Sequence, residues 1–433
     1  MILLQLTFVL AAIIVGARLG GIGLGVMGGA GMAVLVFAFG LEPTSPPIDV
    51  MLMIAAVVSA AAAMQAAGGL DYLVRLAERL LRKNPTQVTV ISPLVTYLFT
   101  FIAGTGHVAY SVLPVIAEVS RETKIRPERP LGIAVIASQQ AITASPISAA
   151  TVALLGMLSG FGLTLFDILK ISVPATLAGV LVGAFLSKRV GKELLEDPEY
   201  RRRVKEGMIQ DVGRPHVGLE SPRKAKISVL LFVAATVLIV IFGSVPSLRP
   251  VFAGEAVSMP VLIEVLMLTA CAVILLCCGI DGIAPTKGSV FVAGMQAVIA
   301  IFGVAWMGDT FINGNIGVIT GAVKGLVTQY PWLFAVALFV MSILLYSQAA
   351  TVRAVMPLGV ALGMSPMMLV ALFPAVNGYF FIPNYPTVVA AINFDRTGTT
   401  HIGKYVLNHS FMMPGLVATA VAVMTGLLLM QLY

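Results

Sequence analysis

Between Lys83 and Glu118 the chain has no side chain that is charged at neutral pH, and the apolar run from Thr86 to Ala117 is broken once, by the small polar string GTGHVAYSVLP at Gly104–Pro114. Basic clusters flank it: Arg75, Arg79, Arg82 and Lys83 before, Arg121, Lys124, Arg126 and Arg129 after. Lysine and arginine mark the cytoplasmic face of a bilayer, so both ends of the run belong on that face. The segment after the break, Val108–Val119, has 12 residues, against about 20 for a full crossing. This pattern predicts a re-entrant hairpin over about 86–119. Backbone freed at membrane depth is tolerated only where protein buries it or water reaches it, which makes the tip a candidate binding site.

The rest of the chain is equally apolar. A mean hydropathy of +0.99 with 11% charged residues excludes a soluble globular protein and predicts an all-α polytopic membrane protein. The formal charge of +7 fits cytoplasmic loops; no basic stripe interleaved with aromatics points to a nucleic-acid partner. Cys271, Cys277 and Cys278 share one apolar segment and read as small buried hydrophobes, not as a disulfide framework. No basic n-region precedes the apolar N-terminus, so Ile2–Ala17 reads as a first span, with Arg18 inside and Met1 outside.

In order, Gly20–Gly40 returns outward, the proline-rich Glu42–Asp49 turns outside, and Val50–Ala67 goes in. GGIGLGVMGG within the second span superficially resembles a nucleotide loop but lacks the strand–turn–helix setting, so it reads as close helix packing. Leu70–Leu81 is amphipathic, with Leu70, Leu73, Val74, Ala77, Leu80 and Leu81 on one face, and fits a helix in the inner interface. After the hairpin, 131–160 crosses but is broken at TASPIS, Thr143–Ser148, and Leu165–Leu186 returns. Residues 188–226 form a basic cytoplasmic linker with eleven Lys/Arg against seven Asp/Glu. Ile227–Val245, Pro260–Gly279 and Val290–Met307 then cross, Phe311–Tyr330 lies outside, and a second hairpin occupies about 331–363 with its break at SQAATVR. A second broken span, 367–393, is interrupted at Ile382–Thr387; a cytoplasmic turn, Asp395–Lys404, leads to the last span and an external C-terminus.

Residues 1–187 and 227–433 thus each hold five spans and one hairpin. Five crossings are odd, so the halves are inverted, as in secondary transporters. Asp71–Asp309, Pro114–Pro357 and Pro146–Pro386 recur at offsets of 238, 243 and 240 residues.

Two tips and two breaks meeting at the midplane predict a substrate site. One half supplies Thr105, Gly106, His107, Ser145, Pro146 and Ser148; the other supplies Ser347, Gln348, Thr351, Asn384, Tyr385 and Thr387. Hydroxyls, amides and helix N-termini suit carboxylates, and paired constellations suit a substrate with two anionic ends, although one amino acid or a cation would also fit. Arg353, the one cation near a tip, is a candidate carboxylate contact or a snorkelling side chain. His107 could carry a proton or serve structurally. No cofactor or metal set is indicated.

The strings GARLGGIGLG, MQAAGGLDYLVRLAERLLRKNP, GTGHVAYSVLPVIAEV, ITASPISAA, GVAWMGDTF, YSQAAT and NYPTVVAAINFDRTGTTHIGKYVLNHSFMMPG resemble the anaerobic C4-dicarboxylate transporter (Dcu) family nearly end to end. The resemblance implies exchange of fumarate, malate, aspartate and succinate across the bacterial inner membrane, typically fumarate in for succinate out, with both termini periplasmic. The wider ion-transporter superfamily implies a homodimer whose hairpin-bearing domain moves like an elevator against a scaffold. By the same resemblance, Thr105–His107 and Ser347–Thr351 form the hairpin tips, and Ser145–Ser148 and Asn384–Thr387 the breaks. The tips lack the Ser-Asn-Thr triplets of sodium-coupled relatives, so no sodium site carries over. SPISAA and YSQAAT lean to one branch, HVAYSVLP and RPERP to the other; one branch also modulates a sensor kinase, a further partner to consider.

Three rival readings remain. An intramembrane enzyme is disfavoured because HExxH, GxSxG and paired intraspan aspartates are absent. A channel would need no internal substrate. A proton- or cation-coupled uptake carrier for dicarboxylates or amino acids would need no counter-substrate.

Overall fold

The computed structural model describes residues 1–19, 21–46, 48–209, 223–252, 254–315, 317–318, 329–345, 347–383, 385–404 and 407–433. It is a helical bundle. Among the described residues six helices are long and apolar enough to cross a membrane, or seven if one bent pair counts as a span. The protein is a multi-pass membrane protein.

α1 (Ile2–Leu19) packs along α2 (Gly23–Ala33), which runs on into a π-helical turn at Val34–Ala38. The glycines of α2 act as the sequence suggests. A Cβ on Gly25 would sit 2.2 Å from the Ile299 carbonyl oxygen, and one on Gly303 1.8 Å from that of Gly25. These belong to α13 (Ser289–Ala300) and the π-helical turn Ile301–Ala305 that continues it, so backbone lies directly on backbone. α3 (Ile48–Ala66) and α4 (Gly69–Lys83) meet at a 71° bend, made at Gly68 with a φ of 81° that a β-carbon would resist. α4 buries Leu70, Leu73, Ala77 and Leu81. Leu80 is 43% exposed and lies outside the buried stripe, because the stripe follows the narrower i, i+3/i+4 row.

α5 (Val88–Ala103) and α6 (Ala109–Glu122) form the first helical hairpin. With its preceding turn α5 is long enough to cross alone, so length does not define its depth. The chain nevertheless returns to its level of departure: Arg82, just before α5, donates to Glu122, the last residue of α6, at 2.6 Å. α7 (Glu128–Gln140) and α8 (Ala149–Leu158) are the two pieces of the first broken span. α9 (Leu165–Ser187) starts at a capping box between Thr164 and Asp167.

The hydrophilic connection is partly ordered. α10 (Pro198–Lys205) and the stretch before it dock on the start of α7; residues 210–222 lie outside the described residues. Arg126 bridges Glu128 and Asp197 at 2.5 Å each. Arg129 donates to the Val190 and Gly191 carbonyls and to Glu193. Arg203 reaches the Arg396 carbonyl at 3.0 Å. Burial works against ionising Asp197, but hydrogen bonds from the Tyr200 N–H and the Arg126 guanidinium outweigh it and hold the carboxyl below its usual range. Glu199, bonded by Arg202 and Arg203, is pulled down to about 2.

In the second half, α11 (Arg223–Ser244) and α12 (Met259–Cys278) flank a two-stranded ribbon, Val251–Phe252 with Glu255–Ala256. α14 (Trp306–Gly314) follows α13. Of the expected external segment, 319–328 lies outside the described residues. α15 (Leu333–Leu345) and α16 (Gln348–Ala361) pack as the second helical hairpin. α17 (Pro366–Leu372) ends in a 3-10 turn, Phe373–Val376, and α18 starts only at Pro386, running to Phe394. The second break therefore begins at Asn377, ahead of the expected Ile382. α19 (Met412–Leu429) lies along α9, where a Cβ on Gly179 would come within 2.2 Å of the Ala418 carbonyl oxygen.

Candidate functional site

Both hairpin tips converge on Gln139, in the last turn of α7. At the second tip the Gln348 amide donates to Gln139 Oε1 at 2.9 Å and to Asn377 Oδ1 at 3.2 Å. At the first tip Gly106 leaves room for the same amide: a Cβ there would lie 2.4 Å from Gln139 Nε2. Asn377 in turn donates to Gln140 Oε1 at 3.3 Å, and Gln140 to Thr419 on α19 at 3.0 Å. A chain of buried amides thus joins a tip from each half to both breaks. Sequence reasoning missed Gln139, Gln140 and Asn377. The signals were SQQ just ahead of TASPIS, and an Asn-Gly pair inside an apolar run.

The remaining candidates divide by what their polar atoms already do. Ser145 donates to the Phe101 carbonyl at 2.7 Å, pinning the first break to α5. Ser148 caps α8: its hydroxyl accepts from the Thr151 N–H at 3.1 Å and donates to the Ile142 carbonyl at 2.5 Å. Pro146 is buried in the turn between them. Ser347 caps α16, accepting from the Ala350 N–H at 3.2 Å, and Thr351 bonds back to the Ser347 carbonyl at 2.8 Å. These hydroxyls hold the breaks in shape. Thr105, half-buried, lines a small cavity of about 90 Å³ with Gly104, opposite Ile54, Val57, Val58 and Ala61 of α3. Tyr385 precedes α18 and its ring lies 4.7 Å from that of Tyr379. Thr387, in the first turn of α18, is buried with a hydroxyl that has no partner among the described residues. The backbone of His107 sits in the 3-10 turn Gly106–Val108; its side chain, and Asn384, lie outside the described residues.

Arg353 is not part of the amide cluster. It stands on α16, five residues beyond Gln348, and lines a separate cavity of about 710 Å³. Its Nε is buried without a hydrogen-bond partner among the described residues. Asp309 on α14 is near enough to act on it electrostatically, yet forms no ion pair with it among the described residues. Asp71, placed as the counterpart of Asp309, is exposed.

The cluster offers amide N–H groups; elsewhere the breaks present the N-termini of α8 and α18 and the Thr387 hydroxyl, unpartnered among the described residues, and the second tip presents that of α16. Such donors favour carboxylate oxygens without a fixed counter-charge. Among the described residues no three His, Cys, Asp or Glu side chains stand close enough to hold a metal ion.

The sequence model of the anaerobic C4-dicarboxylate membrane transporters (DcuA and DcuB) matches residues 1–433. The C4-dicarboxylate transporter DcuA of Wolinella succinogenes is 45% identical over 427 residues, covering 98% of each chain. DcuA of Escherichia coli (strain K12) is 45% identical over 432 residues, covering 99% of each. The anaerobic C4-dicarboxylate transporter DcuB of Escherichia coli O6:H1 is 40% identical over 439 residues, covering 99% of this chain and 98% of the other. In fold the chain is similar to the YdaH transporter of Alcanivorax borkumensis, with a TM-score of 0.56 at 15% identity over 100% of this chain and 97% of that one.

Proposed function

The chain belongs to the anaerobic C4-dicarboxylate membrane transporter family, a family of carriers and not of enzymes, and from that premise we propose that it exchanges C4-dicarboxylates across a bacterial inner membrane by alternating access. The substrates are fumarate, malate, aspartate and succinate, with fumarate entering as succinate leaves. The substrate sits where the two tips and two breaks meet, with its carboxylates taken by the amides of Gln139, Gln348 and Asn377, the Thr387 hydroxyl and the N-termini of α8, α16 and α18. The observation that carries this reading is the convergence of Gly106 and Gln348 on one amide, Gln139. Two segments about 240 residues apart in the chain meet there, as an inverted repeat would require. In this reading the halves 1–187 and 227–433 are the repeats, the hairpins are re-entrant, and both termini are periplasmic.

Counterflow in proteoliposomes tests it. An exchanger loaded with unlabelled fumarate accumulates external labelled succinate and stops when the interior is empty. Uptake that proceeds into empty vesicles and follows an imposed proton or sodium gradient would replace exchange by coupled uptake. Uptake into empty vesicles with no gradient dependence would indicate a pore.

A further inference from the structure

The 710 Å³ cavity lies at the end of the bundle away from the basic connection. Its walls come from the first turn of α3, the end of α8, the loop before α9, Arg249 and the start of α12. α9 runs from that loop to the connection through 23 residues, a rise of about 35 Å. With the connection inside by its charge, the cavity opens outward.

Two guanidinium groups line it. Arg249 uses Nε on the Phe242 carbonyl at 2.8 Å and makes no ion pair among the described residues. Arg353 makes none either, and its buried Nε has no hydrogen-bond partner among the described residues. A guanidinium donor left bare in a buried wall costs free energy unless a visiting acceptor meets it. The one carboxylate in the lining, Asp49, is exposed and sits in the first turn of α3, where the helix N-terminus offsets part of its charge. α12 starts in the same wall behind Ser258, whose side chain makes no capping bond; Pro260 brings no N–H, so Met259 and Val261 carry the uncapped N–H groups of its first turn.

We propose that this cavity is an outer docking station for a dianionic carboxylate, distinct from the amide cluster, in which Arg249 and Arg353 each take one carboxylate before the molecule moves inward along α16. The station rests on the dicarboxylate reading for its ligand, but not for its charge. Arg353 spans both stages, standing five residues from Gln348 on the same helix.

A reporter cysteine tests it in the full-length protein in proteoliposomes. Gly156 faces the cavity with open space where its Cβ would be, and none of the three native cysteines lines it. In Gly156→Cys, a negatively charged methanethiosulfonate reagent should react about 10-fold faster than a positively charged one, after correction for their free-thiol rates. Arg249→Gln and Arg353→Gln should each reduce that preference severalfold, and Arg249→Lys should retain it. If Arg249→Gln fails to fold, Arg353→Gln and Arg249→Lys carry the test. External succinate should slow labelling where butyrate at the same concentration does not. A reagent preference insensitive to both arginines, or equal effects of succinate and butyrate, would overturn the station. If wild-type protein shows no dicarboxylate counterflow, the parent reading fails instead, whatever the labelling.

Discussion

Gln348 Nε2 donates to Gln139 Oε1 at 2.9 Å across 209 residues of sequence, so the tip of the second hairpin is held by the last turn of the first broken span. Replacing either partner leaves a buried amide unsatisfied, at a cost of about 1–3 kcal/mol, or about five- to 150-fold in an equilibrium. Gln139→Ala and Gln348→Ala are expected to weaken succinate binding within that range and to lower the melting temperature of the purified protein. Binding unchanged in both would remove the cluster from the substrate's path.

Gly106→Ala tests the other tip. The added carbon would meet Gln139 Nε2 at 2.4 Å, so the glutamine must rotate away from Gln348 or the tip must back off. Exchange should fall while membrane insertion stays normal. Combining Gly106→Ala with Gln139→Ala, which removes the clash, should cost less than the sum of the two single changes.

Ser145 and Thr387 should separate structure from binding. The Ser145 hydroxyl is committed to the Phe101 carbonyl, so Ser145→Ala is expected to cost about 1 kcal/mol of stability before it changes affinity. The Thr387 hydroxyl has no partner to lose among the described residues, so Thr387→Val should leave the melting temperature unchanged and raise the KM for succinate. The reverse pattern would exchange their roles.

Acid should loosen the docked connection at 188–206. Both Asp197 and Glu199 have carboxyls lowered in the folded protein. Their contribution is present above the unfolded values of about 4 and is lost as pH falls through the folded ones, Glu199's near 2. Pepsin cleavage within 188–206, referenced to an unfolded peptide of the same sequence, should accelerate between pH 4.5 and 2. Asp197→Asn should show part of that acceleration already at pH 4.5.

The sequence shows clearly where charge and proline interrupt apolar runs. The basic flanks around 86–117 lie at the two ends of α5 and α6, which Arg82 and Glu122 bring together, and TASPIS falls in the gap between α7 and α8. GGIGLGVMGG packs on backbone as small residues in a span should. The second break is misplaced because Pro383 and Pro386 are conspicuous, whereas the chain already leaves the helix at Asn377, where the asparagine side chain bonds the Pro374 carbonyl at 3.1 Å. Gln139 and Gln140 escape notice because glutamine is an ordinary helix residue; only the fold shows that both face other amides. Arg353 stands near a tip in sequence, but the direction of its side chain along α16 sends it to a different cavity.

The backbone-to-backbone seams at Gly25–Gly303 and Gly179–Ala418 leave no side chains that could re-sort, and a displacement of even half an ångström would drive carbonyl oxygens into alpha carbons. Each seam therefore behaves as a weld. Slippage is left to the thin hollow between α3 and Gly104–Thr105, walled largely by valine, isoleucine and alanine, so whatever rearranges during a transport cycle has its cheapest plane of shear there.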